Sequence, residues 1–143
     1  MTKDHSTTEI LLVEDNPGDV RLVHEAFRDA DFDATIHTAI DGVEAIDFLM
    51  DEASPFPDFV LLDLNLPRKD GLEVLQEIRG DAKLQRLPVL VLTSSTARED
   101  MAVCYEEQAN AYLTKPTSPE EFIELVRSVE EFWIERVRLP PCP

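Results

Sequence analysis

Five chemically capable side chains stand at or just past the ends of apolar runs in this chain. Ile10-Leu11-Leu12-Val13 leads into Glu14-Asp15, Phe59-Val60-Leu61-Leu62 into Asp63, and Val89-Leu90-Val91-Leu92 into Thr93. A fourth run, Ala111 to Thr114, ends at Lys115-Pro116. Three carboxylates, a hydroxyl and an ammonium would converge if those runs were parallel strands, because ligands of an open α/β sheet bind outside the carboxyl ends of its strands. Carboxylates gathered that way repel one another unless a cation joins them, and hard oxygen donors suit Mg²⁺. A carboxylate at such a position can attack phosphorus and become an acyl phosphate. Lys115 and Thr93 would then face phosphoryl oxygens and stabilise their charge, the main lever in phosphoryl transfer. The spacing therefore predicts a metal-assisted phosphoryl site centred on Asp63, with the backbone carbonyl of Asn65 as a further ligand.

The elements that must position these groups are legible. Short apolar runs rich in branched residues alternate with stretches of helical period, the signature of βα units around a parallel sheet. The first strand is expected over 9–13, and Asn16 or Asp15 can cap the next helix, with Pro17 in its first turn. A second, more polar strand over 34–38 reads as an edge. Asp41-Gly42 opens a helix, Ser54-Pro55-Phe56-Pro57 turns into a third strand over 58–62, and the loop 63–71 leads to a helix ending near Gly80. Leu87-Pro88 starts the fourth strand, 97–108 reads as helix, and Ser118 with Glu121 predicts a capping box for a last helix reaching Arg138. Five βα units with neither repeat nor linker make one domain, with helices on both faces through right-handed crossovers.

Composition narrows the class. A chain of 143 residues with 43% hydrophobic residues fits a single folded core. No apolar stretch approaches the ~20 residues of a membrane span, and the polar start lacks the pattern of a secretion signal, so a cytoplasmic location is expected. A net charge of −17 argues against nucleic-acid binding, which needs a basic stripe. The few acids of the site cannot account for 30 carboxylates, so most coat the surface. An acidic coat with nine arginines and four lysines resembles proteins of salt-in halophiles, where screening relieves self-repulsion, and this reading is preferred over an acidic mesophile protein. Cys104 and Cys142 are not expected to form a disulfide in a reducing compartment. His5, His24 and His37 lack ligand spacing.

Taken together, the stretches Ile10–Asn16, Phe59–Pro67, Asp70-Gly71, Val89–Ser94 and Ala109–Pro116 resemble the receiver domain of two-component response regulators over nearly the whole chain. That resemblance implies a flavodoxin-like (βα)₅ doubly wound fold with strand order 2-1-3-4-5. It implies that Asp63 is the phosphoacceptor, Glu14 and Asp15 the acid pair at Mg²⁺, Thr93 the switch hydroxyl and Lys115 the phosphoryl contact. Tyr112 becomes the aromatic that swings inward on activation. Glu14 stands where many receivers carry Asp. Asn16-Pro-Gly-Asp19, Leu66–Gly71 and the Phe132-Trp133…Leu139-Pro140 tail are similar to small standalone regulators associated with bacteriophytochromes and other sensor kinases.

The expected organisation is a disordered segment 1–8, a receiver domain with an extended last helix over 9–138, and a proline-rich tail over 139–143. Only 27 residues follow Pro116, too few for an output domain, so output is expected through protein contact. The expected partners are a sensor histidine kinase or phosphotransfer protein and a downstream protein target. Self-association is also expected through Phe132, Trp133 and Ile134: Phe122, Val126, Val129, Trp133 and Val137 form one stripe, while Ile123, Leu125, Phe132 and Ile134 lie off it and add apolar surface beyond a single core-facing face. A rival reading is a Mg²⁺-dependent phosphatase with an aspartyl nucleophile, similar to the haloacid dehalogenase superfamily. Those enzymes carry a second acid two residues after the first, where this chain has Asn65. A nucleotide-binding module is disfavoured because glycine-rich phosphate loops are absent.

Overall fold

The computed structural model describes residues 8–141 and contains five parallel strands: β1 (Thr8–Val13), β2 (Ala34–Ala39), β3 (Phe59–Leu62), β4 (Val89–Thr93) and β5 (Ala111–Thr114). The helices that alternate with them are α1 (Pro17–Asp29), α2 (Gly42–Met50), α3 (Gly71–Gly80), α4 (Arg98–Glu106) and α5 (Pro119–Val129). The sheet order is β2-β1-β3-β4-β5, as the resemblance implied, with the polar β2 at one edge. The segment 1–7, expected to be disordered, and Cys142 lie outside the described residues, while Thr8 already belongs to β1.

The burial of each strand explains its sequence. β3 and β4 are buried at every position and so read as unbroken apolar runs, the mark of a parallel strand covered on both faces. Alternate side chains of one strand feed two separate cores. Leu11, Val13, Val60 and Leu62 join Ala45, Leu49, Val74 and Ile78 on the face of α2 and α3. Ile10, Leu12, Phe59 and Leu61 join Val23, Phe27, Phe122 and Val126 on the face of α1 and α5. Burying one such side chain contributes about 1.5–3 kcal/mol, so these two cores fix the register of the central strands.

Local chemistry starts the helices. Asn16 caps α1, accepting the Asp19 N–H at 3.0 Å, and Pro17 follows at a position that needs no donor. The reciprocal capping box belongs to α3: Asp70 Oδ1 accepts from Glu73 N at 2.9 Å and Glu73 Oε1 from Asp70 N at 3.0 Å. At α5 only half of the expected box forms. Ser118 Oγ accepts from Glu121 N, but the Glu121 carboxylate is taken by the hydroxyls of Thr117 and Ser118 rather than by the Ser118 N–H.

The end of the chain also departs from the periodic reading. The α-helix stops at Val129 and continues as a π-helical segment, Glu130–Arg136. Trp133 and Ile134 are half-buried against the α1/α5 core, whereas Phe132 is 55% exposed. The wider π turn brings two of the three expected interface residues onto the domain itself. Among the described residues, no helix is long and apolar enough to cross a membrane.

Candidate functional site

The four strands that carry the candidate residues all end on one side of the sheet, and backbone pairing continues one residue past the ends of β1, β3 and β5. Glu14 N donates to Ala39 O at 2.9 Å, Asp63 N to Val13 O at 3.0 Å, and Lys115 N to Thr93 O at 2.8 Å. The side chains beyond the last rungs therefore project from the rim rather than into either core. Because β1 lies beside β3, Glu14 and Asp15 meet Asp63; each offers an oxygen within 4.8 Å of the others.

A tight loop holds this arrangement. A Cβ built on Gly71 would fall 2.2 Å from the Asp63 carbonyl oxygen, and Gly71 N donates to Leu64 O at 2.9 Å. A Cβ on Gly42 would fall 2.1 Å from Lys69 O. Only glycine permits both approaches, so the α2 and α3 starts clamp the loop that leaves Asp63. Arg68, with φ of 65°, turns that loop and reaches Asp41 at 3.4 Å.

Lys115 is the hub of the charges. Its Nζ lies 2.7 Å from Glu14 Oε1, 2.8 Å from Asp19 Oδ2 and 3.2 Å from Asp63 Oδ2. Glu14 is 2% and Asp63 6% exposed, while Asp15 is exposed at the mouth. Burial pushes the Glu14 carboxyl up to about 7, and the nearby Asp63 charge adds to this, against the opposing hydrogen bond from Lys115. For Lys115, burial acts to lower the pKa, but the hydrogen bonds to Asp19 and Glu14 outweigh it and hold the ammonium above its ordinary value. The ammonium therefore stays charged and the excess negative charge falls on the acids.

One atom of the cluster remains without a partner: Asp63 Oδ1 is buried and accepts no hydrogen bond. A buried polar atom left unpaired costs roughly 1–3 kcal/mol, more when charged. Together with the all-oxygen donor set of Glu14, Asp15 and Asp63, this orphaned oxygen fits a hard divalent cation. Asn65 is exposed two residues past Asp63, in the loop where its carbonyl was expected to serve.

Thr93 is fully buried at the end of β4, and its Oγ1 accepts the Ser95 N–H at 3.4 Å. Tyr112 Oη donates to the Ser95 carbonyl at 3.0 Å. The two expected switch residues thus meet at Ser95, whose own hydroxyl donates to Asp100 Oδ2 at 2.6 Å and ties the loop to α4. The sequence reading did not single out Ser95, nor Asp19 as a partner of Lys115. Four successive hydroxyl residues, 93–96, were the signal for the first; an acid in the first turn of α1 was the signal for the second.

The family model for the response regulator receiver domain matches residues 10–127, and the chain belongs to that family. Its particular relatives are similar along almost their whole length. The response regulator Rcp1 of Synechocystis sp. is 44% identical over 135 residues, covering 92% of each chain. The crystal structure of the Mn²⁺-bound form of Rcp1 matches with a TM-score of 0.85 at 43% identity, over 94% of this chain and 99% of that one. That of the phosphorylated cyanobacterial phytochrome response regulator RcpA matches with a TM-score of 0.88 at 39% identity, over 95% and 100%.

Proposed function

We propose that Asp63 accepts a phosphoryl group from a sensor histidine kinase or a phosphotransfer protein, and that the phosphorylated chain signals by protein contact. The observation that carries this reading is the buried Asp63 carboxylate with one oxygen unpartnered, set between an acid pair and a lysine. Phosphorylation of the relative RcpA and the association of that protein with a phytochrome support a light-responsive or similar kinase as donor. A carboxylate oxygen of Asp63 forms the new P–O bond while the P–N bond to the donor imidazole breaks, and the leaving nitrogen keeps the electron pair. Glu14, Asp15, Asp63 and the Asn65 carbonyl would hold Mg²⁺, which would supply positive charge against the incoming phosphoryl oxygens. Lys115 offers its ammonium to another phosphoryl oxygen, and Thr93 its hydroxyl. Withdrawal of the Thr93 hydroxyl from Ser95 would loosen the loop that Tyr112 grips, which couples the site to α4 and β5. The acyl phosphate is then lost to water, with no turnover of an external substrate.

We place the output on the face of α4, β5 and α5, where Met101, Tyr105 and Phe132 are exposed. A second copy of the chain or a downstream protein would cover it; the site of action is the cytoplasm. Incubation of the protein with Mg²⁺ and acetyl phosphate, and separately with a panel of phosphate monoesters, tests the reading. Labelling should stop near one phosphate per chain, with no sustained phosphate release from the monoesters. Continued release would favour an aspartyl-nucleophile phosphatase.

A further inference from the structure

An ammonium has three protons to give, and Lys115 gives them to Glu14, Asp19 and Asp63. Two of those acceptors have other work in the reading above: Glu14 faces the divalent cation, and Asp63 loses its negative charge when it becomes an acyl phosphate. Asp19 has neither duty. It lies in the first turn of α1, 96 residues from Lys115 in sequence, and is half-buried at the rim.

The local structure explains why its carboxylate is available. Asp19 occupies the third helical position, from which an acid ordinarily reaches back to the capping residue's N–H, as Glu73 does to Asp70. In α1 that N–H is already taken, since Asn16 N donates to Glu14 Oε2 at 3.2 Å. Asp19 N is fixed meanwhile by Asn16 Oδ1 at 3.0 Å. The first turn therefore aims a carboxylate that has no helix to cap, and it lands 2.8 Å from Lys115.

We propose that Asp19 is a positioning residue for phosphoryl transfer, holding the Lys115 ammonium at the site while Glu14 and Asp63 exchange it for the cation and the phosphoryl group. The inference rests on the reading of Asp63 as phosphoacceptor. Without Asp19, the ammonium has only Glu14 and Asp63 to lean on, so it competes with the cation and is mispositioned for the incoming phosphoryl oxygens. Misplacing a group that makes a charge-assisted hydrogen bond slows a reaction by about tenfold or more.

Phosphorylation by acetyl phosphate at saturating Mg²⁺, followed by intact mass, tests this with wild type, Asp19→Asn, Asp19→Glu, Lys115→Ala and the double variant Asp19→Asn/Lys115→Ala. Asp19→Asn should melt close to wild type yet label about tenfold more slowly, and Asp19→Glu should recover most of the rate. Lys115→Ala should be slowed at least as much, and adding Asp19→Asn to it should change nothing further. Should Asp19→Asn fail to fold, Asp19→Ser, which suits a first helical turn, takes its place. Wild-type labelling by Asp19→Asn, failure of Asp19→Glu to recover, or the same slowing with Lys115 already removed would overturn the proposal. A wild type that takes no phosphate would instead overturn the reading of Asp63.

Discussion

The two ends of the sheet treat charge in opposite ways. At the amino end, Arg79 near the end of α3 is surrounded by neutral acceptors that meet its guanidinium. Nε donates to Gln108 O at 2.9 Å, Nη1 to Leu87 O at 2.7 Å and Gln85 O at 3.2 Å, and Nη2 to Asn110 Oδ1 at 2.8 Å. The same Asn110 oxygen accepts Val89 N at 2.8 Å, so one network fastens the starts of β4 and β5. At the carboxyl end, three carboxylates share one ammonium with a fourth, Asp15, close by, Glu14 is driven up towards neutrality, and Asp63 Oδ1 has no partner. The fold satisfies its polar groups where only stability is at stake and leaves them short of positive charge where the proposed cation and phosphoryl group would come. Unsatisfied groups of this kind cluster at functional sites and are offset by stability elsewhere.

Arg79→Ala should give the largest effect on stability. It strips donors from four acceptors at once and should cost about 2–3 kcal/mol in urea denaturation, without preventing phosphorylation of the folded protein. Arg79→Lys should recover little, since a single ammonium cannot span the planar fork. An unchanged midpoint for Arg79→Ala would remove the contrast between the two ends.

Charge removal at the site should act in the opposite sense. An acid whose pKa is raised in the folded state binds its proton more tightly there, so stability falls as pH rises from the unfolded value, near 4.5, through about 7. The metal-free protein should therefore be less stable at pH 8 than at pH 5.5. Glu14→Gln should flatten this dependence and stabilise the metal-free chain at pH 8 by on the order of 1–2 kcal/mol, allowing for its coupling to Lys115. Thermal melts with EDTA at the two pH values provide the check; a destabilised Glu14→Gln at pH 8 would show that the acid is comfortably paired.

The end of the chain offers a further contrast between neighbours. Trp133 packs partly on the domain and Phe132 does not, so Trp133→Ala should lower stability whereas Phe132→Ala should leave it nearly unchanged. If the chain self-associates through this face, Phe132→Ala should reduce association measured by sedimentation, with and without phosphodonor. The smallest effect concerns the surface as a whole. With a net charge of −17, the melting temperature should climb between low and molar KCl as screening relieves repulsion; a flat curve would remove the halophile reading.

The residues legible in the sequence were those at the ends of strands. Glu14, Asp15, Asp63 and Lys115 each follow an apolar run; the βα alternation makes the sheet parallel, while the strand order that gathers them came from the resemblance to receiver domains. Asp19 was hidden because an acid in a first helical turn ordinarily serves the helix, and its actual partner is 96 residues away. Arg79 was hidden because its partners are mainly backbone carbonyls, which carry no side-chain signal. The close approaches at Gly42 and Gly71 depend on a loop path that periodicity does not describe. The π segment was read as continued α-helix because Phe132-Trp133-Ile134 is apolar in succession and fits either period.

The most direct measurement of the central claim is the intact mass of wild type and Asp63→Asn after treatment with acetyl phosphate, with and without Mg²⁺. A single phosphate should appear on the wild type only with Mg²⁺ and should be absent from Asp63→Asn under both conditions. Labelling that persists in Asp63→Asn at the wild-type rate would contradict the account.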